Sequence, residues 1–196
     1  MIRTQIHRAS AYVPMPWKNG LGSTLEVARD TGEGLDGFGW RLSIADIDES
    51  NGFSAFAGYQ RVISVLEGGG MVLEVDGTDT PPLLALEPFA FSGDSRVHCR
   101  LLKGAIRDFN LIYSPDLFGA RLQWLRADEA QRILTSATTL LLFAAQSGVE
   151  VHLDNAACGV LGQYDCLHVE RSAELAELQI HGGPSAFCCL IELERR

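Results

Sequence analysis

Hydrophobic and polar residues alternate most clearly between residues 59 and 76. An apolar-rich strand is expected over 59–67, a turn at Gly68-Gly69-Gly70, and a second strand over 71–76 that closes on Asp76-Gly77. Glycines supply the positive φ of a tight turn, and the β-branched and long apolar residues on either side suit a pleated, half-buried surface, so this stretch reads as a hairpin. The same period of two recurs at Trp40–Ile47, with Trp40, Leu42 and Ile44 on one face and Arg41, Ser43 and Ala45 on the other. Residues 23–29 alternate as well, setting Leu25 and Val27 against Thr24 and Glu26. Short strands follow at 83–86, 88–92, 96–102 and 106–113, and in the last of these Asp108 and Asn110 share a face. Short strands separated by turns are the signature of an all-β sandwich or barrel.

Ser114-Pro115-Asp116 is the best break in the chain and predicts two domains, 1–115 and 116–196. Beyond it, strands are expected at 120–126, 138–145, 148–153, 165–169, 175–180 and 186–193, with a helical turn around 128–133. The stretch 138–145 is almost wholly apolar, as in a strand covered on both faces.

Composition narrows the functional classes. A formal charge of −9 with no run of Lys and Arg leaves no electrostatic footprint for nucleic acid. No stretch approaches the roughly 20 apolar residues of a membrane span, and the first residues lack a continuous apolar segment, so a cytoplasmic protein without a membrane partner is expected. The 5 cysteines include the adjacent Cys188 and Cys189 and no CxxC pair, which argues against a disulfide framework.

Residues 13–22 hold two prolines and two glycines around Trp17, Lys18 and Asn19, a turn-rich loop that cannot be helical. It is either a Trp-anchored turn with a solvated lysine or a loop that hangs Lys18 and Asn19 over the mouth of a barrel. The polar face of Arg41, Ser43 and Ala45 likewise lines a cavity or meets solvent; the pattern is the same for both.

Several of these motifs, in this order, resemble the HutD/Ves family. They are Pro16-Trp17-Lys18-Asn19-Gly20 with Thr24 and Glu26, Trp40-Arg41-Leu42-Ser43-Ile44-Ala45, Phe53-Ser54-Ala55-Phe56-Ala57-Gly58, Arg61, Leu66-Glu67-Gly68, Phe89-Ala90-Phe91-Ser92-Gly93-Asp94 and Asp108-Phe109-Asn110-Leu111. The resemblance implies a bicupin, two jelly-roll-type, cupin-like antiparallel β-barrels, of which 116–196 is the degenerate one. It also implies a small-molecule pocket and, for the HutD branch, a regulatory role in histidine utilisation through an intermediate such as N-formylglutamate or urocanate.

Metal-binding cupins carry an HxH pair and a glutamate before the Leu-Glu-Gly turn; the corresponding segment 53–61 has no histidine, and Arg61 stands where a ligand would. The first barrel is therefore expected to hold no metal and no cofactor, and to suit an anion better than a cation. A rival metal set is Glu150, His152 and Asp154 with Cys166, His168 and Glu170, if their strands are neighbours.

The candidate ligand-binding residues are Trp17, Lys18, Asn19, Thr24, Glu26, Arg41, Ser54, Phe56, Arg61, Asp94, Asp108 and Asn110. Three classes of function remain, and a homodimer fits any of them. One is a sensor or modulator that binds a small carboxylate through the cationic residues Lys18, Arg41 and Arg61 and is not an enzyme. Another is an isomerase or hydrolase using Glu26, Asp94 or Asp108 as acid or base. The last is a structural or protein-binding barrel without a ligand.

Overall fold

The computed structural model describes residues 2–17, 23–32 and 37–196, which are almost entirely antiparallel β-sheet. The chain divides into two compact units, Val13–Phe118 and Met1–Tyr12 with Gly119–Arg196. The opening strand β1 (Arg3–His7) belongs to the second of these. The first contains β2 (Val13–Pro16), β3 (Ser23–Arg29), β4 (Trp40–Ile47), β5 (Asn51–Gly52), β6 (Gln60–Gly68), β7 (Met71–Val75), β8 (Thr78–Asp79), β9 (Phe89–Ser92), β10 (Val97–Leu101) and β11 (Ile106–Tyr113). They form a six-stranded sheet in the order β2-β3-β4-β11-β6-β9 and a four-stranded sheet in the order β5-β10-β7-β8. Ile47, Ile63, Val65 and Ile106 from the larger sheet pack with Met71, Leu73, Val97 and Cys99 from the smaller one to make the core.

The triple glycine does not close a hairpin. The strands on either side of it lie in different sheets, β6 between β11 and β9 and β7 between β10 and β8, so the turn is a corner that carries the chain from one sheet to the other. Gly68 and Gly70 take φ of +102° and +93°, and a Cβ on Gly69 would lie 2.3 Å from Lys103 Cβ, so the corner accepts no side chain without moving the segment packed on it. No sheet closes into a barrel among the described residues; the unit is an open sandwich. Pro14 and Pro16, expected in a loop, lie in β2, which among the described residues is an edge strand paired with β3, where the missing N–H groups are tolerated. Residues 83–86 form isolated bridges, Val65 with Ala85 and Met71 with Leu83, rather than the expected strand.

The second unit contains β12 (Phe118–Arg126), β13 (Gln131–Thr135), β14 (Thr139–Ala144), β15 (Val149–Leu153), β16 (Ala156–Leu161), β17 (Cys166–Glu170), β18 (Ala176–His181) and β19 (Phe187–Arg195). Its sheets run β1-β17-β14-β19-β12 and β13-β18-β15-β16. Leu140, Leu142 and Ala144 of β14 point into a core made with Val149, Val151, Leu178, Ile180 and Leu190. On the opposite face of β14, Phe143 is also buried, stacked on Tyr164 at 5.7 Å and edge-on to Trp124 at 6.5 Å, so this strand is covered on both sides. The expected helical turn at 128–133 is instead a bend at 128–129 followed by the start of β13, whose Gln131, Arg132, Ile133, Leu134 and Thr135 pair with β18.

The units also differ from the expected division at residue 115. The N-terminal strand β1 pairs antiparallel with β17, from Arg3 opposite Glu170 to His7 opposite Cys166, so its backbone groups are satisfied in the second unit. All five cysteines are free thiols. The described residues contain no helix long and apolar enough to cross a membrane.

Gly93 ties the segment before β6 to the turn after β9. It donates its N–H to Tyr59 O at 2.7 Å and accepts from Phe56 N at 2.8 Å. A Cβ at this position would lie 2.2 Å from the Phe56 carbonyl oxygen, a backbone atom that cannot turn aside. Gly93→Ala is expected to destabilise the protein by about 2–3 kcal/mol, the range of overpacked positions, read as a lower urea midpoint at unchanged slope.

Candidate functional site

The site is built on the inner face of the six-stranded sheet, where cross-strand register stacks residues in rows because directly opposed residues of antiparallel neighbours share a face. The first row is Thr24, Ala45, Asp108 and Val65, and the second is Glu26, Ser43, Asn110 and Ile63. The third is Arg29, Arg41, Ile112, Arg61 and Phe91. A bulge between Glu26 and Ala28 swings Arg29 alongside Glu26, and the two form a bidentate ion pair at 2.9 and 2.6 Å. The interior is thus apolar along Val65 and Ile63 and polar where β4 and β11 bring Arg41, Ser43, Asp108 and Asn110. The polar part encloses a cavity of about 60 Å³, completed by Met15, Pro16, Trp17, Phe53, Ser54 and Phe56. That is room for several water molecules or the head of a small organic acid.

Arg61 is only 6% exposed. Its Nη2 donates to Asn110 Oδ1 at 2.9 Å and its Nη1 to the Ser54 carbonyl at 3.1 Å. Three phenyl rings surround the guanidinium, Phe91 at 4.9 Å, Phe53 at 5.3 Å and Phe56 at 5.5 Å, an arrangement in which ring quadrupoles partly replace lost hydration. Its Nε, buried, has no hydrogen-bond partner among the described residues. Burial pushes Arg61 down to about 10, opposed by the charge of Asp108 and assisted by that of Arg41, which still leaves it a cation at neutral pH. Arg41, 5% exposed, lies over Phe38 at 5.0 Å and over the other side of the site at Phe56, 5.3 Å away.

Asp108 is the carboxylate of the cavity. Its Oδ1 accepts the Ala45 N–H at 3.0 Å and its Oδ2 the Asn110 side-chain amide at 2.9 Å, so Asn110 stands between the acid and Arg61, accepting from one and donating to the other. Burial pushes Asp108 up to about 7, against the pull of Arg61 and of the two hydrogen bonds. Among the described residues lining it, the cavity therefore holds two buried guanidinium groups and one carboxylate that gives up its proton reluctantly.

Of the candidate residues, Trp17, Thr24, Arg41, Ser54, Phe56, Arg61, Asp108 and Asn110 line this cavity. Trp17 Nε1 donates to Thr24 Oγ1 at 2.7 Å, and Ser54 contributes its carbonyl rather than its hydroxyl to Arg61. Lys18 and Asn19 lie outside the described residues. Glu26 is on the same face but is engaged by Arg29. Asp94 is not brought to the cavity: it is exposed and accepts from Gly58 N at 3.2 Å and Ser92 Oγ at 3.3 Å, fixing a turn. Ser43, Phe53 and Phe91 were not among the candidates. The alternation of Arg41, Ser43 and Ala45 signals the first of these, Phe91 lies opposite Arg61, and both phenylalanines stand in the motifs that carry the family resemblance.

Among the described residues, no three His, Cys, Asp or Glu side chains converge as a metal site would require. The rival set is separated by topology, since β15 with Glu150 and His152 and β17 with Cys166, His168 and Glu170 lie in different sheets. His168 Nε2 instead lies 2.8 Å from Glu170 Oε1.

Comparison with known proteins places the chain among close relatives. The HutD family model matches residues 9–188. The chain is 58% identical over 196 residues, 100% of both chains, to an uncharacterized 21.2 kDa protein in the hutC 3′ region of Pseudomonas putida. It resembles the crystal structure of a conserved protein of unknown function from Pseudomonas aeruginosa PAO1 with a TM-score of 0.95 at 57% identity, covering 98% of this chain and 99% of that one. Similarity to the structure of HutD from Pseudomonas fluorescens SBW25, in a formate condition, has a TM-score of 0.87 at 55% identity and covers 99% and 100%.

Asp108 makes stability depend on pH in a definite direction. Its folded-state value of about 7 lies above the ordinary carboxylate range, so the folded protein holds a proton that the unfolded chain has released. Its contribution is fully present below about pH 4 and is lost as pH rises through about 7, at a slope of up to about 1.4 kcal/mol per pH unit. Asp108→Asn should remove this component, so that its stability relative to wild type rises between pH 5 and pH 8 in urea titrations. A difference that is constant with pH would show that Asp108 ionises normally.

Proposed function

The chain belongs to the HutD family of the cupin superfamily, and we propose that its first unit binds a small carboxylate metabolite as a sensing or regulatory protein of histidine utilisation. The observation that carries this reading is the pair of buried guanidinium groups, Arg41 and Arg61, lining one cavity with a single reluctant carboxylate. A cavity with that balance gains most from an anion, and a guanidinium fixes a carboxylate through parallel N–H bonds. Arg61 retains its unpaired Nε–H for this purpose. The cluster of inward-facing polar groups argues against a ligand-free structural role, since burying them is costly unless something uses them. Candidate ligands are N-formylglutamate and urocanate, both carboxylates of the histidine-degradation route implied by the family resemblance. The P. putida relative's location in the hutC 3′ region supports the same pathway. We read each unit as a cupin-type domain whose barrel is left open, the first carrying the ligand.

A second reading is favoured by one observation, the raised value of Asp108, which would suit an acid or base acting near neutral pH. Turnover of a bound carboxylate, followed by proton NMR and lost in Asp108→Asn, would establish that reading.

Titration calorimetry with N-formylglutamate and urocanate tests the proposal directly. Dissociation constants between millimolar and micromolar are expected for ligands of about a dozen heavy atoms. Arg61→Ala should weaken binding by roughly ten- to a hundredfold, and Arg61→Lys should not restore it, because an ammonium cannot reproduce the guanidinium fork. Unchanged affinity in a folded Arg61→Ala variant, judged by circular dichroism, would remove Arg61 from the binding site.

A further inference from the structure

The cavity's own carboxylate is placed where an incoming anion must affect it. Asp108 shares the enclosure with Arg41 and Arg61, and a link to Arg61 runs through Asn110, hydrogen-bonded to each at 2.9 Å. The positive charge of Arg61 favours the ionised form of Asp108 against the burial that raises it to about 7. A ligand carboxylate bound to the guanidinium groups neutralises that field and adds a like charge in the same desolvated space, and both changes raise the proton affinity of Asp108.

We propose that carboxylate binding is coupled to the uptake of a proton by Asp108, so that the site takes its ligand as an anion plus a proton. This inference rests on the carboxylate-binding reading of the site. No covalent step is involved: the proton comes from solvent, and the Asp108 carboxylate becomes a neutral carboxyl. The geometry accommodates it, because the Ala45 N–H and the Asn110 amide occupy one lone pair on each oxygen and leave the others for the proton.

Among the described residues, the surrounding groups do not offer an alternative proton acceptor. Across the rows Asp108 faces Arg61 on β6 and Arg41 on β4, both cations, and the Glu26–Arg29 ion pair lies on β3. On β4 Asp46 is paired with Arg107 at 2.7 Å, and that hydrogen bond holds it below the usual carboxylate range. On the facing sheet the buried Cys99 thiol is pushed up to about 12 and stays protonated. Asp108, pushed up to about 7, is the group of this set poised to change charge near neutrality.

The consequence is a binding affinity that falls as pH rises through the neutral range. Calorimetry of the full-length wild-type protein with N-formylglutamate tests it, since both carboxyls of that probe stay ionised above about pH 5.5 and contribute no protons. Formate, small enough for the cavity as it stands, is titrated in parallel. At pH 8 the apparent enthalpy should vary with the ionisation enthalpy of the buffer, phosphate against Tris, with a slope corresponding to uptake of between about one half and one proton per ligand. At pH 5.5 the slope should approach zero. The dissociation constant should rise about tenfold between pH 6.5 and pH 8. Asp108→Asn should bind with an affinity that is flat across this range and a buffer-independent heat. Binding by wild type with no buffer dependence at pH 8 and a flat affinity would overturn the coupling while leaving the carboxylate site intact. Absence of binding for both probes at every pH would overturn the carboxylate reading and this inference with it.

Discussion

The first unit is organised by the cost of placing the Arg61 guanidinium inside a sheet sandwich. An isolated charge moved into such an interior loses hydration worth several kcal/mol even after relaxation, so it persists only where its surroundings answer it. Nearly every distinctive residue of the motif-rich half does so. Phe53, Phe56 and Phe91 present ring faces, Ser54 turns its carbonyl inward, and Asn110 accepts a hydrogen bond while passing its own donors to Asp108. Gly93 serves the same end, because its contact with the Phe56 carbonyl sets the segment that carries Ser54 and Phe56 against β6.

The part of this that was legible in the sequence is the part governed by strand periodicity. Arg61 alternates with Ile63 and Val65, and Asp108 with Asn110 and Ile112, so their shared faces follow from a period of two. Alternation could not say whether Arg41 and Ser43 meet water or a cavity, since that depends on which strands lie opposite. The neighbours of β4 are β3 and β11, and β11 lies more than sixty residues away in sequence. The triple glycine shows the complementary failure. Local turn chemistry was read correctly as a sharp reversal, but a hairpin and a corner between sheets make the same local demand for glycine, and only long-range pairing distinguishes them. The N-terminal strand was missed for a similar reason: Arg3–His7 is a mostly exposed strand whose identity comes from its pairing with β17.

The second unit provides an internal contrast. Its two sheets enclose a core of Leu, Val, Ile and Ala, with Cys188 among them. Its buried polar residues serve turns and strand ends: Arg171 donates to the Ala137 carbonyl at 3.1 Å, although its buried Nε, like that of Arg61, has no partner among the described residues, and Asp165 accepts from Ala9 N at 2.9 Å. In the first unit, by comparison, Arg41, Asp108 and Asn110 project from mid-strand positions into the cavity, where purely structural polar groups would be an expensive way to fill space.

Chemistry in that cavity would require more than a carboxyl with an unusual proton affinity. A general base needs a lone pair directed at the substrate proton within hydrogen-bond reach, and an acid–base mechanism generally needs a second group to complete the transfer. No histidine, cysteine, lysine or second carboxylate joins Asp108 among the described residues lining the cavity. What the residues do supply is a pre-organised positive field, aromatic walls and one group able to exchange a proton with solvent as an anion arrives. These are the components of a site suited to holding an anion.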